Sequence, residues 1–347
     1  DFLPVEKNRR DRVLTTIRET YLGHGFQEIE TPALEDLERL TSGQGGDNEK
    51  LAFRVMKRGA ELESALAANN GEDNLADLGL RYDLTVPLTR YYATNRAKLP
   101  KIFKAIQTGP VWRAERPQKG RYRQFIQCDI DIIGDSSVLA EIDIVVSSLE
   151  ALESIHLSDA IIRVNHRVLL ANLLDGLGIP EDGKPAAMII IDKLDKIFAE
   201  GVVKELGEKF GAKVAETATG WLASLKSDLE TPDELKEVFA AVESRFGKGR
   251  LRFDPTLVRG MGYYTGTIFE IEHPESGSSI GGGGRYDGMI GRWIVEDVPA
   301  VGISIGFERA IELVADKLVQ SNPGLVLVLE DTSAETIGVA LARQKDL

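Results

Sequence analysis

Apolar residues on one side of a helical pattern predict the first element of the chain. Val13, Leu14, Ile17 and Tyr21 share one face of a helix, so they predict an amphipathic helix from Glu6 to Tyr21. Two glycines then end this helix, and the stretch FQEIETP is typical of a short strand closed by proline. The chain is therefore expected to begin as a helix that leads into a sheet.

A second amphipathic helix is predicted from about Ser137 to Ile155, after two strands that read KIFKAIQTGPVWRAE and RYRQFIQCDIDIIG. The apolar residues of this helix that are expected to face a core are Leu139, Ile142, Val145, Val146, Leu149 and Leu152. After the strand IIRVNH, the pattern from about residue 167 to residue 246 is almost entirely helical. Strand-forming sequence returns at LRFDPTLVRGMGYYTGTIFEIEH, so the helical stretch is expected to be an insertion into a domain rich in strands.

The last part of the chain predicts a domain boundary. VPAVGISIG is typical of a strand, and it runs into a helix that reads FERAIELVADKLV. Asn322, Pro323 and Gly324 then indicate a linker. The remaining residues predict one strand and one helix, which cannot bury a core alone. We therefore expect a first domain over residues 1–323 and the start of an incomplete second domain over residues 324–347.

The composition of the chain narrows the classes of protein that it can belong to. The 347 residues are 43% hydrophobic and 28% charged, and the formal net charge is −13, which is ordinary for a globular protein and argues against a general nucleic-acid binder. The single cysteine excludes an internal disulfide and suits a reducing cytoplasm. No apolar run is long enough to cross a membrane, and the four histidines lack the spacing of zinc ligands.

A short basic run contrasts with the acidic chain. Five arginines and lysines lie between Arg113 and Arg123, and Asp129 and Asp131 follow. Since alternate residues of a strand face opposite sides, Gln127 and both aspartates share one face. A hairpin formed by the two predicted strands would bring Arg113 near this face. This face is either a solvated side of the sheet or a binding surface for a ligand with charges of both signs.

Two glycine-rich stretches also allow two interpretations each. IGGGGRYDGMIG, from Ile280 to Gly291, is either a flexible turn or a backbone that approaches a ligand closely. In VGISIGFERA the small residues Gly302, Ser304 and Gly306 share one face of a strand, which suits either a flat ligand ring or close packing against a helix.

Together these motifs resemble those of a known group of enzymes. The order of a helix–strand–proline element, an R-x-E hairpin and a GxGxGxER strand resembles the three motifs of class II aminoacyl-tRNA synthetases. RYDLT (81–85), RAERPQKGRYRQFIQCDID (113–131) and LVRGMGYYTGTIFE (257–270) narrow the resemblance to the histidyl-tRNA synthetase family, over nearly the whole chain.

The resemblance implies an α+β fold, in which an antiparallel sheet is flanked by helices. It implies a class II catalytic domain (1–323) with a helical insertion (about 167–246) that grips the tRNA acceptor arm, followed by the start of an α/β anticodon-binding domain (324–347). It also implies a cytoplasmic homodimeric ligase. This enzyme would activate L-histidine with ATP to histidyl-adenylate and transfer the histidyl group to the 3′ end of tRNA(His).

Residue roles follow from the same resemblance. The catalytic residues would be Arg113, Arg259 and Arg309. The histidine-binding residues would be Asp83, Leu84, Thr85, Arg113, Gln127, Asp131, Arg259, Tyr263 and Tyr264, with Asp83, Gln127 and Asp131 on the α-ammonium group and the tyrosines and the glycine loop around the imidazole. The ATP-binding residues would be Arg113, Glu115, Arg121 and Arg309, and the acceptor-stem residues would be Arg116 and Gln118. Mg²⁺ would be held mainly by the ATP phosphates and waters, with no dedicated protein site.

Three alternatives remain open at this point. The chain could be a catalytically silent regulatory subunit of ATP phosphoribosyltransferase, which shares the fold, or a class II synthetase for another amino acid. Arg259 could also be a structural arginine paired with a nearby carboxylate. The element RGMGYY has Gly262 where the family often has aspartate, so one carboxylate is missing there.

Overall fold

The structure, a computed structural model, describes residues 1–41, 46–68, 71–116, 122–225, 229–259, 264–294 and 296–314. The helices in this part are α1 (Pro4–Gly23), α2 (Leu37–Leu40), α3 (Gly59–Ala68), α4 (Thr85–Asn95), α5 (Val138–Ser154), α6 (Arg167–Gly176), α7 (Lys184–Ile191), α8 (Leu194–Phe210), α9 (Ala212–Ser224), α10 (Lys236–Phe246) and α11 (Phe307–Leu313). The strands are β1 (Gln27–Glu28), β2 (Leu34–Asp36), β3 (Arg54–Met56), β4 (Ala76–Leu80), β5 (Phe103–Trp112), β6 (Gln124–Ile133), β7 (Ile161–His166), β8 (Leu251–Phe253), β9 (Thr267–Glu272), β10 (Gly281–Arg285) and β11 (Ala300–Gly306).

Eight of these strands form one sheet in the order β1-β5-β6-β11-β10-β9-β7-β8, and β2, β4 and β3 form a small separate sheet. The pairs from β5 to β7 are antiparallel, as predicted, whereas β1 pairs with β5 and β8 pairs with β7 in parallel. Parallel neighbours need a long crossover connection. The helices α6 to α10 supply that connection between β7 and β8, so the sheet is mixed at both edges.

One face of β6 belongs to the main core. Cys128, Ile130 and Ile132 pack in one buried cluster with residues of α1, α5, α10 and α11. Each such aliphatic side chain stabilises the fold by about 1.5–3 kcal/mol relative to exposure. The alternation predicted for β6 is confirmed, since the residues between these three face the other side, where a cleft lies.

The predicted helix over α5 is confirmed, with one exception in its apolar face. Leu139 is 65% exposed, although it was expected in the core. It lies in the first turn, and the buried face begins instead with its neighbours Ala140 and Glu141. Glu141 is buried because it forms a bidentate ion pair with Arg285 of β10, at 2.5 and 2.6 Å.

The predicted helical stretch is confirmed from α6 to α10, and its last helix belongs to the main core. Val238, Phe239 and Val242 of α10 are buried in the same cluster as α5. The earlier helices α6 to α9 share a second cluster with residues that lie around α4. The predicted second domain, residues 324–347, lies outside the described residues.

Candidate active site

The polar face of β6 forms the floor of a cleft together with β10 and β11. This cleft has a volume of about 730 Å³. The glycine-rich segment is part of this floor, because Gly281–Gly284 lies inside strand β10 and pairs with both β9 and β11. The expectation of a glycine loop or turn is therefore wrong for these four residues. The cleft is also lined by residues from the turn before α4, from the segment before β9 and from the junction of α7 with α8.

Three buried aspartates stand on one side of the cleft. Asp83 precedes α4, and Asp129 and Asp131 lie on β6; they are 2%, 3% and 3% exposed. Burial raises the pKa of Asp83 to about 6 and that of Asp131 to about 7. Burial and then the charge of Asp131 raise the pKa of Asp129 well above its ordinary value. The polar face of β6 is thus desolvated and crowded with carboxyl groups, and it is not a solvated side of the sheet.

Hydrogen bonds from the protein satisfy only some of the polar atoms of this acidic group. The Val86 N–H donates to Asp83 Oδ1 at 3.0 Å, and Gln127 Nε2 donates to Ser304 Oγ at 3.1 Å. Among the described residues, Asp83 Oδ2, Gln127 Oε1 and Asp129 Oδ1 are buried and have no hydrogen-bond partner. Unsatisfied buried acceptors are costly, so each is best explained by a ligand that donates to it.

A row of small residues leads from Asp131 to an aromatic wall. Gly302 of β11 is opposite Asp131, and Gly284 of β10 is opposite Gly302. A β-carbon at Gly302 would lie 1.9 Å from Asp131 Oδ1, and one at Gly284 would lie 2.8 Å from the Tyr264 ring. Only glycine leaves room for both groups. The Tyr286 O–H donates to Asp131 Oδ1 at 2.5 Å and so orients this carboxylate beside the row.

Arg113 lies next to the acidic group, as predicted from the hairpin. Its backbone N–H donates to the Arg123 carbonyl, which extends the pairing of β5 with β6. Its Nε donates to the Tyr82 carbonyl at 3.0 Å, and its guanidinium carbon lies 5.0 Å from the centre of the Phe125 ring. The positive charge of Arg113 partly offsets the effect of burial on Asp83 and Asp129.

Arg259 lines the cleft and is held by a network of charges. Its Nη1 donates to Glu270 Oε2 at 2.9 Å, while Glu270 Oε1 accepts from Arg163 at 2.9 Å. Arg163 in turn pairs with Asp254 at 2.5 Å. The φ angle of Arg259 is 59°, a left-handed conformation that costs a residue other than glycine about 1–3 kcal/mol. The structural alternative for Arg259 is thus partly correct, since a carboxylate pairs with it inside the cleft.

Arg309 is presented to the cleft by the start of α11. Its Nη1 donates to the Ser279 carbonyl. The preceding Glu308 is fixed by a bidentate ion pair with Arg10 of α1, at 2.6 and 2.7 Å, and accepts from the Ile126 N–H. This anchoring ties α1, β6 and α11 together and sets the position of the residue that follows.

The remaining predicted site residues divide into three groups. Thr85 and Glu115 line the cleft. Leu84 is buried outside the lining, where its carbonyl accepts from Gln107, and Arg116 is exposed and also outside the lining. Gln118, Arg121, Tyr263 and Gly262 lie outside the described residues.

Several cleft residues were not predicted. The junction of α7 and α8 contributes Asp192 and Asp195, and burial raises the pKa of Asp192. Arg163 and Glu270 were missed because ion pairs between distant strands leave no local signal. Asp129 and Ser304 were visible in the alternating pattern, and the shared face of each strand was sufficient to find them.

Two other features are absent from the described residues. None of the helices there is both long and apolar enough to cross a membrane. Within the same ranges, no three or more His, Cys, Asp and Glu side chains are grouped so that they could hold a metal ion.

Comparisons with known proteins agree on one family. The family model described as histidyl-tRNA synthetase matches residues 1–310. The histidine–tRNA ligase of Leifsonia xyli subsp. xyli is 50% identical, over 100% of this chain and 85% of that protein. The crystal structure of histidyl-tRNA synthetase from Nostoc sp. PCC 7120 superposes with a TM-score of 0.74 at 32% identity, and the match covers 90% of this chain and 73% of that one.

A more distant structure shares the fold alone. It is described as an ATP phosphoribosyltransferase regulatory subunit/histidyl-tRNA synthetase from Bacillus halodurans. It has a TM-score of 0.74 at 21% identity, over 90% of this chain and 81% of that one. The family model and the 50% identical relative carry the assignment, and this chain belongs to the histidyl-tRNA synthetase family.

Proposed function

We propose that the cleft joins L-histidine to ATP as histidyl-adenylate and then transfers the histidyl group to the 3′ end of tRNA(His). One observation carries the proposal: buried acceptors without partners and three arginines line the same cleft. An amino acid beside a triphosphate has both complementary features, a cationic ammonium group and several anionic groups.

Histidine occupies the acidic side in this proposal. Its ammonium group would lie against Asp83 and Gln127. Its imidazole would lie between Asp131 and Tyr264, whose side chains fill the space that Gly302 and Gly284 leave open, because these two side chains offer the ring a polar group on each side. This assignment moves Asp131 from the ammonium group, where the sequence predicted it, to the ring.

ATP occupies the basic side. A carboxylate oxygen of histidine attacks the α-phosphorus, the bond to the bridging oxygen breaks, and pyrophosphate leaves with that oxygen. Negative charge grows on the α-phosphate during this step, so fixed cations aimed at it supply most of the rate enhancement. Arg113 and Arg259 have this role, and Arg309, whose planar guanidinium suits both stacking and phosphate binding, contacts adenine and the γ-phosphate.

The other ATP contacts and the metal ion are more peripheral. Glu115 is half-buried at the cleft, and Arg121 follows in the sequence of the basic run. A carboxylate such as Glu115, with waters, is chemistry that Mg²⁺ accepts. When bound with ATP, Mg²⁺ would be held mainly by the phosphates and waters, and it would neutralise part of the phosphate charge.

The second half-reaction involves tRNA(His). The terminal ribose hydroxyl of tRNA attacks the histidyl carbonyl, and AMP leaves. Arg116 and Gln118 of the basic run would meet the acceptor stem, and the helical insertion, whose α7–α8 junction lines the cleft, would grip the acceptor arm. A homodimer in the cytoplasm is the state in which we expect this reaction. Light scattering of the purified chain would measure the mass of the particle.

The regulatory alternative is less well supported. The structure whose description includes a regulatory subunit is 21% identical, whereas histidine–tRNA ligases reach 50%. A silent subunit also has no need of three arginines around a phosphate site.

The test is ATP–pyrophosphate exchange with each common amino acid. Histidine alone should support exchange, because the acceptors, the glycine row and Tyr264 together fit its ammonium group and ring. Exchange with a different amino acid at an equal rate would reject the substrate, and no exchange with any would favour the regulatory alternative.

A further inference from the structure

Asp129 lies at the centre of the cleft floor, although no motif assigned it a role. On β6 it is opposite Gln107 of β5 and Ser304 of β11, and it is 3% exposed. It shares its face with Gln127 and Asp131, so its side chain lines the cleft with theirs.

The hydrogen bonds around Ser304 leave one oxygen of Asp129 for a ligand. The Ser304 hydroxyl accepts from Gln127 Nε2 at 3.1 Å and hydrogen-bonds to the Asp129 carboxylate. A hydroxyl has one proton to donate, so the order is Gln127 to Ser304 to Asp129. This chain turns Gln127 Oε1 and Asp129 Oδ1 away from Ser304, and both oxygens are buried without a partner among the described residues.

The charges around Asp129 favour a cation at this point. Asp131 on the same strand and Asp83 before α4 both raise the pKa of Asp129, after burial itself, while Ser304 and Arg113 act in the opposite direction. The neighbour on β5, Gln107, is neutral and already bonded to Thr31 and to the Leu84 carbonyl. A bound cation would therefore relieve repulsion that the protein itself leaves in place.

We propose that Asp129 is a further substrate-binding residue, whose Oδ1 accepts a hydrogen bond from the α-ammonium group of histidine. This inference rests on the proposed function. An ammonium group has three N–H donors, and Asp83 Oδ2, Gln127 Oε1 and Asp129 Oδ1 are the three buried acceptors without a partner on this side of the cleft, within the described ranges. Asp131 is less available for the ammonium group, because Tyr286 already donates to its Oδ1.

A purely structural aspartate looks different in the same molecule. Asp254 is also buried in part, but its oxygens accept from Arg163 and from the backbone and side chain of Thr256. Replacing an aspartate of that kind removes bonds and destabilises the fold. Replacing Asp129 removes a buried carboxyl group whose Oδ1 has no hydrogen-bond partner in the described part of the chain and whose charged form is disfavoured by burial.

The test combines Asp129→Asn with two ligand analogues. The amide oxygen of the variant can still accept from Ser304. The NH₂ group then points toward the ammonium group of the substrate, so that two hydrogen-bond donors face each other. The dissociation constant for histidine should rise about 10- to 100-fold. Histidinol, which keeps the ammonium group and lacks the carboxylate, should lose the same factor. Imidazolepropionate, which lacks the ammonium group, should bind the parent and the variant with the same dissociation constant.

Matched controls separate the possible outcomes. Asp143→Asn changes an aspartate that also has a serine partner, Ser147, and pairs with Lys104 outside the cleft, and it should leave histidine binding unchanged. Asp129→Asn should melt at the same or a higher temperature than the parent. Unchanged affinity for histidine and histidinol would overturn the proposal, as would an equal loss for imidazolepropionate together with a lower melting temperature. Failure of the parent itself to bind histidine would reject the proposed function instead.

Discussion

The two sides of the cleft carry opposite charges and are stabilised in different ways. On the basic side, each of the three arginines already donates to a protein group: Arg113 to the Tyr82 carbonyl, Arg259 to Glu270 and Arg309 to the Ser279 carbonyl. On the acidic side, Asp83 and Asp129 each keep one buried oxygen without a partner in the described part of the chain.

This difference indicates which property of the reaction each side of the cleft governs. Arginines that are oriented before the substrate arrives cost no reorganisation during the reaction, which is the property that transition-state stabilisation requires. Carboxylates without partners are unfavourable in the empty protein, and a cation completes them. The basic side is therefore expected to govern rate, and the acidic side to govern affinity and the response to pH.

The largest expected effect is on the basic side, at Arg259. Arg259→Ala should lower histidine-dependent pyrophosphate exchange about 100- to 1000-fold, because it removes one preorganised charge from the α-phosphate. Arg259→Lys should recover little of this loss, since an ammonium group cannot replace a planar fork. The melting temperature should change little, because Glu270 keeps its bond to Arg163. Exchange at the parental rate in the alanine variant would show that Arg259 is structural.

A smaller effect on rate is expected at Glu270, which positions Arg259 without touching the substrate in the proposed complex. Glu270→Gln should lower the kcat of exchange about tenfold and leave the KM for histidine nearly unchanged, because the charge of Arg259 stays but its orientation loosens.

The neighbouring Glu272 provides the control for this experiment. It lies two residues further along β9 and pairs with Arg252, outside the cleft. Glu272→Gln should keep both constants at the parental values. A rise in KM without a change in kcat for Glu270→Gln would contradict the positioning role and indicate a binding role.

Local sequence patterns were sufficient to place the β6 residues of the acidic side on one face, but they left open whether that face binds a ligand. Gln127, Asp129 and Asp131 alternate with core residues along β6, and a period of two is a property of every strand. The hairpin that brings Arg113 to this row was equally visible, because β5 and β6 are joined by one short connection. The fold class and the order of its main elements followed from the same patterns and from the family resemblance.

The supports of the basic side could not be predicted, because they join distant parts of the chain. Arg10 and Glu308 are 298 residues apart, and Arg163 and Glu270 are 107 residues apart. The prediction of a turn for the glycine run was wrong for a different reason. Glycine disfavours strands locally, yet at Gly302 and Gly284 the neighbouring Asp131 and Tyr264 need the space that a side chain would fill.

The last expected effect is on stability and not on rate, and it has opposite signs on the two sides of the cleft. Burial raises the pKa of Asp83 from 3.8 to about 6. The unfolded chain therefore releases this proton at lower pH than the folded protein does, and stability falls as pH rises from about 4 to about 6. Asp254 behaves in the other sense: burial acts to raise its pKa, but the charge of Arg163 and the hydrogen bonds from Thr256 and Arg163 lower it overall. Its contribution is lost as pH falls through that lowered pKa.

Asp83→Asn isolates the acidic contribution, because an amide oxygen can still accept from the Val86 N–H. Without histidine, the variant should unfold with the same free energy as the parent near pH 4. It should gain on the order of 2 kcal/mol relative to the parent by pH 6 and keep a constant difference above that pH. Denaturant titrations of both proteins at several pH values measure this difference.

Because the ammonium group of histidine supplies the missing charge, saturating histidine should reduce the advantage of the variant at pH 7. A variant that is less stable than the parent at pH 7 would show that Asp83 is paired within the protein, and the contrast between the two sides of the cleft would then be wrong.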